Sequence, residues 1–215
     1  MSLVIALAAS REAVIGADRR AIAFVGPCPK LEEELYSGQI KNDQELADRA
    51  RELGATLQIS DGREKVWRRG DLLVGEVTEI SARLSRRRRI YLTPGSSLQV
   101  DVICREDADA ADGAGEKGAG GGEAKIRAWD GVGCIVFGNR ITQKLAYEEV
   151  GRAGGRVNEV LIKSILVKAG ESTASVSREH IVLHSLVKQS NPKAALLKAL
   201  EEDCKESGWR LCAPQ

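Results

Sequence analysis

The second residue of the chain is a serine, and its position next to the amino terminus could make it reactive. If Met1 is removed, which a small second residue favours, Ser2 carries a free α-amine beside its hydroxyl. A serine hydroxyl is a poor nucleophile without a base. An α-amine has a reference pKa of roughly 8, so it is partly neutral at physiological pH and can accept the hydroxyl proton. We therefore predict that the active chain begins at Ser2, and that this one residue supplies both nucleophile and base.

Two apolar runs follow Ser2, and the strands that they form would bring it close to other catalytic side chains. Residues 3–9 and 13–17 are separated by the polar residues 10–12, which favours a β-hairpin. Asp18 follows the second run, where its carboxylate could orient the Ser2 amine. A nearby cation would hold that amine neutral and stabilise developing negative charge. Neither run alternates between apolar and polar residues, so both strands are predicted to be covered on both faces.

Composition limits the class of protein. The chain has 215 residues, 43% hydrophobic and 29% charged, which is enough for one large domain over residues 1–215. The net charge of +1 gives no overall field that favours nucleic acid or a membrane. The five cysteines have no metal-ligand spacing, and an odd number without a secretory signal indicates reduced thiols in the cytoplasm. No membrane span, metal or cofactor is expected.

The remaining sequence predicts alternating groups of strands and helices. Strands are predicted at 21–25, as an extension of the second run, and at 72–77, 88–92, 98–103, 133–138 and 180–187. Helices are predicted at 30–37, 42–53, about 140–150, 157–169 with a stop at Gly170, and from Ser190-Asn191-Pro192 to Gly208. Asn42 and Glu45 resemble a capping box. Residues 107–125 contain only glycine, alanine and charged residues, which predicts a mobile surface loop. This order predicts an α+β fold, an αββα sandwich of two antiparallel sheets between helix layers.

The opening of the chain resembles the proteasome β-subunit, an N-terminal nucleophile (Ntn) hydrolase. In that family a short apolar strand follows the nucleophile and a second strand ends in an acid-Arg-Arg motif. The matching residues are Ser2, LVIAL, and VIGADRR with Asp18 and Arg20. The family's catalytic lysine begins a later strand in a basic-basic-apolar-aromatic context, and the similar stretch RRRRIYL places Arg89 in the lysine position. The resemblance therefore implies a catalytic site of Ser2, Asp18, Arg20 and Arg89.

Connectases, proteasome-like proteins of methanogenic archaea, provide a closer resemblance. AIAFVG, KLEEELYSG, GDLLVGEV, RRRRIY and GCIVFGN are similar to the pattern of that family, most clearly over residues 2–150. KLEEELYSG is the most specific of these stretches, because ordinary proteasome subunits lack it. The family can also carry a further C-terminal domain, for which this chain is expected to be too short.

The connectase resemblance implies a protein ligase. Connectases cut a sequence of the type Lys-Asp-Pro-Gly-Ala before the proline and pass the upstream fragment to a polypeptide that begins with Pro-Gly. Their natural target is a subunit of the methanogen methyltransferase complex, so the implied partner is a protein or peptide substrate of a monomeric enzyme. An ester on the Ser2 hydroxyl could pass its acyl group to the adjacent amine, and proximity is worth about 7–11 kcal/mol in such intramolecular steps.

Other interpretations of the same residues stay open. The chain could be a proteasome-like peptidase or amidohydrolase that only releases fragments, or a non-catalytic peptide-binding module on the same fold. The four arginines at 86–89 could form a nucleic-acid patch, but no aromatic residues are interleaved with them. His180 and His184 would share a strand face and could bind a metal, although structural histidines are more common.

Overall fold

A computed structural model describes residues 3–80, 84–105, 122–154 and 156–212. Its strands are β1 (Val4–Ala8), β2 (Ala13–Asp18), β3 (Ala21–Val25), β4 (Thr56–Ser60), β5 (Val66–Arg69), β6 (Leu72–Ile80), β7 (Leu84–Thr93), β8 (Ser96–Arg105), β9 (Glu123–Asp130), β10 (Gly133–Phe137), β11 (His180–Ser185) and β12 (Arg210–Leu211). Its helices are α1 (Pro29–Tyr36), α2 (Asp43–Glu52), α3 (Arg140–Arg152), α4 (Glu159–Ser172) and α5 (Pro192–Ser207).

Two sheets packed face to face form the centre of the fold. One has the strand order β10-β1-β2-β11 and the other the order β12-β9-β8-β7-β6-β5. An apolar core that includes Ile15, Leu73 and Ile90 lies between them. Helices α3 and α4 cover the outer face of the first sheet, and α5 covers the outer face of the second. The predicted αββα sandwich is therefore confirmed.

The predicted hairpin at the start of the chain is also confirmed. Strands β1 and β2 pair antiparallel with Val4 opposite Ala17, and the turn is closed by a 2.8 Å hydrogen bond from the Ala9 amide to the Glu12 carbonyl. Every residue of both strands is buried. The absence of alternation follows from this placement, because one face of the hairpin packs on the second sheet and the other on α4.

Residues 21–61 form an inserted unit between β2 and β5. Strand β3 does not extend β2, as the sequence had suggested, but pairs with β4 in a separate two-stranded sheet. Ile22 and Phe24 leave the main sheet because they pack on the apolar core of α1 and α2, which includes Leu31 and Leu46. The predicted capping box is confirmed, since the Asn42 side chain accepts from the Glu45 amide at 2.9 Å.

Other predicted boundaries differ from those observed. Helix α4 continues through Gly170 to Ser172, and the glycine there serves packing instead of ending the helix, since a Cβ would lie 2.8 Å from the Ser177 carbonyl oxygen. The last strand before α5 ends at Ser185 rather than at 187. Of the segment 107–125, residues 107–121 lie outside the described residues, but 123–125 begin β9, where Ala124 is buried against β8. Strands β4, β5, β9 and β12 were not predicted. No helix in the described ranges is long and apolar enough to cross a membrane.

Candidate active site

Asp18, the last residue of β2, is the centre of the candidate site. Its side chain is fully buried. Its Oδ1 accepts from the Leu3 amide at 2.8 Å, and its Oδ2 accepts from the amides of Arg20 at 2.8 Å and Ser177 at 3.3 Å. Three backbone N–H groups from three chain segments therefore fix the position of one carboxylate.

The cation beside Asp18 is Lys65, which immediately precedes β5. Its Nζ lies 2.8 Å from Asp18 Oδ2, and the side chain is only 2% exposed. Burial lowers the pKa of Lys65 to about 8, against the opposing effect of the Asp18 carboxylate, and the charge of Arg63 adds to the lowering. A lysine with such a pKa changes its charge close to neutral pH, which is typical of functional sites.

The contact between Lys65 and Asp18 is an ion pair rather than a well-directed hydrogen bond. Lys65 Nζ has no partner with hydrogen-bond geometry among the described residues, although Asp18 Oδ2 is within 2.8 Å. An ammonium group has three N–H donors. Because the described protein atoms leave these donors poorly used, the ammonium can donate to a group placed beside Asp18.

The loop between α4 and β11 forms the other wall of the site. Residues 173–177 are all buried. Within the loop, the Ser175 hydroxyl oxygen accepts a 2.9 Å hydrogen bond from the side-chain Nδ2 of Asn139. It also lies 3.0 Å from the Thr173 hydroxyl oxygen. Asn139 is also the N-cap of α3. These bonds hold the loop, and with it the Ser177 amide, against Asp18.

The predicted nucleophile, Ser2, lies outside the described residues. The Leu3 nitrogen that donates to Asp18 is, however, the atom through which Leu3 is peptide-bonded to Ser2 in the sequence. Leu3 itself is fully buried. The described part of the site thus ends at the covalent attachment point of Ser2.

The backbone amide of Arg20 donates to Asp18, whereas its side chain contacts the inserted unit. The guanidinium, 6% exposed, pairs with Asp61 through Nε at 2.8 Å and Nη2 at 2.9 Å, and with Asp43. It also donates to the Ala174 carbonyl at 2.8 Å. The side chain therefore ties the inserted unit to the loop that holds Ser177.

Arg89 lies in a separate cluster of charges on the outer face of the second sheet. Its guanidinium donates to Glu76 at 2.6 and 2.8 Å and pairs with Asp203 of α5. It also lies over the ring of Trp209, with 4.6 Å from Cζ to the ring centroid. Neighbouring Ile90 faces the first sheet instead, so strand alternation directs Arg89 away from Asp18. The structure thus brings Asp18 and Lys65 together, and does not bring Arg89 to them.

Arg89→Met is expected to affect stability more than chemistry. The substitution removes the cation that joins Glu76 to Asp203, although Asp203 keeps Arg69 and Glu76 keeps Arg87 at 3.8 Å, so we expect a loss of about 1.5–3 kcal/mol in the free energy of unfolding. Urea denaturation measures this loss, and Arg127→Met, which removes a half-exposed partner of Asp101, is the matched control with an expected loss below about 1 kcal/mol. Turnover well below the melting temperature should stay close to wild type. A large loss of turnover in folded protein would instead support the catalytic role that the sequence implied for Arg89.

Lys65 was not among the predicted site residues, although the sequence contains a pattern that could have indicated it. In EKVW, Lys65 follows one charged residue and precedes an apolar and an aromatic residue at the start of a strand. RRRRIYL shows the same pattern with more basic residues, and the position of the catalytic lysine was therefore assigned to Arg89. The intervening inserted unit displaces Lys65 far along the chain from Asp18.

The histidines have ordinary structural partners. His184 Nε2 lies 2.9 Å from a Glu12 carboxylate oxygen, and His180 Nδ1 lies 3.2 Å from the Arg178 carbonyl. Within the ranges that the structure covers, no group of three or more histidine, cysteine or acidic side chains could hold a metal ion.

Comparison with known proteins gives a family match and similarities to solved structures. The family described as "Connectase MJ0548-like, N-terminal domain" matches residues 1–117 and 119–205. No curated protein sequence matches the chain. Among solved structures, the chain is similar to Thiobacillus denitrificans BPH in complex with epoxomicin, with 11% identity and a TM-score of 0.45 over 86% of this chain and 100% of that one. It is also similar to eukaryotic HslV from Trypanosoma brucei, with 9% identity and a TM-score of 0.42 over 85% and 98%.

Proposed function

This chain belongs to the connectase family, and from that premise we propose that it is a protein ligase with an N-terminal serine nucleophile. In the proposed reaction Ser2, exposed by removal of Met1, cleaves a Lys-Asp-Pro-Gly-Ala type sequence before the proline. It then joins the upstream fragment to an acceptor that begins with Pro-Gly. We place this reaction in the cytoplasm, on a protein substrate such as a methyltransferase subunit.

The observation that carries the proposal is the buried Asp18–Lys65 pair at the attachment point of Ser2. Burial of an ammonium and a carboxylate costs several kcal/mol per ion before pairing. Here the described donors of Lys65 are poorly used, and the pair lies against the Leu3 amide. A buried ion pair whose lysine has a lowered pKa is typical of a functional site, and Ser2 is the residue bonded to that amide.

The residues have separate roles in the proposed mechanism. The Ser2 α-amine accepts the hydroxyl proton as the oxygen attacks the peptide carbonyl, and returns it to the proline nitrogen when the peptide bond breaks, which leaves an ester on Ser2. Lys65, charged and held by Asp18, keeps the amine neutral and stabilises the negative charge of the tetrahedral intermediate. Lys65 thus takes the role that the sequence assigned to Arg89.

Ligation follows from the neighbouring amine of Ser2. The amine can take the acyl group from the hydroxyl and form an amide, which water attacks slowly. The reverse shift restores the ester, which the amine of a Pro-Gly acceptor attacks to form the new peptide bond and release the hydroxyl. Proximity of the two groups makes the shift fast in both directions.

Incubation with two peptides tests the proposal. One contains Lys-Asp-Pro-Gly-Ala and the other begins with Pro-Gly, and mass spectrometry identifies the products. We expect a joined product, and an intact protein mass that lacks the initiator methionine. Cleavage without joining would identify a peptidase or amidohydrolase, and saturable binding without turnover a peptide-binding module. Full activity in protein that retains Met1 would contradict the terminal-nucleophile mechanism.

A further inference from the structure

The inserted unit ends beside the candidate site, at Asp61. The Asp61 carboxylate receives both Nε and Nη2 of Arg20, in a two-point contact at 2.8 and 2.9 Å. Planar two-point pairs between a guanidinium and a carboxylate fix orientation as well as distance. The end of β4 is thereby held against Arg20, two residues after Asp18.

Asp61 also acts on the other wall of the site. Hydrogen bonds from Arg20 hold the pKa of Asp61 below its usual value despite partial burial, and the Ser177 hydroxyl and the charge of Lys65 contribute to the lowering. Ser177 is the residue whose amide donates to Asp18. Asp61 contacts Arg20 directly and reaches the loop of Ser177 through it, because the same guanidinium donates to the Ala174 carbonyl.

We propose that Asp61 is a positioning residue of this site, which holds the Arg20 guanidinium and through it the loop of Ser177, and so fixes the Asp18 carboxylate against Lys65. The proposal rests on the proposed function for its effect on turnover. Its geometric content is independent of that function. The inserted unit is then part of the site, because it supplies the Asp61 carboxylate, whereas Arg20 and the loop of Ser177 belong to the rest of the fold.

Asp43 provides a matched comparison on the same guanidinium. It is the first residue of α2 and pairs with Arg20, with Nη2 at 3.0 Å from Oδ2. Its side chain is 62% exposed, whereas that of Asp61 is 35% exposed. Asp18 and Asp61 both raise the pKa of Lys65, whereas the more exposed Asp43 carboxylate is better screened by solvent. Loss of Asp43 should therefore remove one ion pair of Arg20 without changing the charge around Lys65.

The test uses backbone amides as reporters of the Asp18–Lys65 pair. The N–H groups of Leu3, Arg20 and Ser177 donate to Asp18, so their chemical shifts should titrate when Lys65 loses its proton. We expect a common midpoint near the Lys65 pKa of about 8 in the wild-type protein. In Asp61→Asn the midpoint should fall by about 0.5 pH units, because one negative charge near the ammonium is lost.

The matched variants decide the outcome. Asp43→Asn should leave the midpoint within about 0.2 pH units of wild type, because its carboxylate is mostly exposed and screened by solvent and salt. Asp61→Glu, which keeps the charge, should return the midpoint toward wild type. Turnover in the peptide assay should fall about 10- to 100-fold in Asp61→Asn, as is typical of small misplacements of reacting groups, and much less in Asp43→Asn.

The two proposals fail in distinguishable ways. If wild-type protein turns over no peptide, but the amide shifts of Leu3 and Ser177 at about pH 6, where Lys65 is charged, move in Asp61→Asn and not in Asp43→Asn, the proposed function is wrong and the positioning role stands. If wild-type protein ligates and Asp61→Asn matches Asp43→Asn in both midpoint and turnover, Asp61 has no positioning role. Equal shifts in both variants would also overturn the proposal, because they would indicate a general effect of weakening the Arg20 contacts.

Discussion

Ser2→Ala protein is expected to form no covalent adduct with the Lys-Asp-Pro-Gly-Ala peptide. Alanine keeps the α-amine and the strand that follows it, and removes only the hydroxyl. We expect turnover to fall by more than about 10⁴-fold, which is typical for loss of a nucleophile. Affinity for the peptide should be largely unchanged, because the substitution leaves the described site, from Leu3 onward, intact. Intact-protein mass spectrometry measures the adduct, and fluorescence anisotropy of a labelled peptide measures binding.

The control for this substitution is Ser10→Ala, in the exposed turn between β1 and β2. It removes a hydroxyl near the start of the same hairpin and should leave turnover unchanged. Adduct formation in Ser2→Ala protein would mean that another side chain is the nucleophile. Loss of both adduct and peptide binding, with a normal thermal unfolding transition, would mean that the hydroxyl serves recognition rather than attack.

Lys65→Ala is expected to lower turnover by about 10²- to 10⁴-fold, the range associated with a single positioned proton-transfer or charge-stabilising group. Lys65→Arg should restore part of the activity, because arginine keeps the positive charge beside Asp18. The two cations differ in one respect, since arginine does not lose its proton in proteins. In wild-type protein kcat/KM should therefore decline above about pH 8, as Lys65 loses its charge, with a pKa of about 8. In Lys65→Arg this alkaline decline should disappear.

Arg63→Gln is the matched control for the alkaline decline. Arg63 lies two residues before Lys65, is exposed, and its charge contributes to the low pKa of Lys65. Its removal should move the decline to higher pH while leaving the maximal rate close to wild type. A wild-type rate that keeps rising above pH 8 would show that neutral Lys65, rather than the Ser2 amine, accepts the hydroxyl proton. Wild-type turnover in Lys65→Ala would remove Lys65 from the mechanism.

Local patterns in the sequence determined the hairpin and the position of Asp18. The two apolar runs lack alternation because both faces of β1 and β2 are buried, and this information is present in the runs themselves. The capping box of Asn42 and Glu45 was equally readable, because a cap involves residues three positions apart. The position of the acid at a strand end beside the chain start follows from the same hairpin.

The identity of the cation beside Asp18 was decided only by the tertiary structure. Lys65 and Arg89 stand in similar sequence contexts, and both are buried cations at or near a strand of the same sheet. The side chain of Arg89 faces α5, where it meets Asp203, 114 residues farther along the chain. Lys65 meets Asp18 because the inserted unit folds on its own core and returns the chain to the end of β2. Such pairings depend on strand order and on which face of a sheet a residue occupies, and neither is encoded in the residues adjacent to a cation.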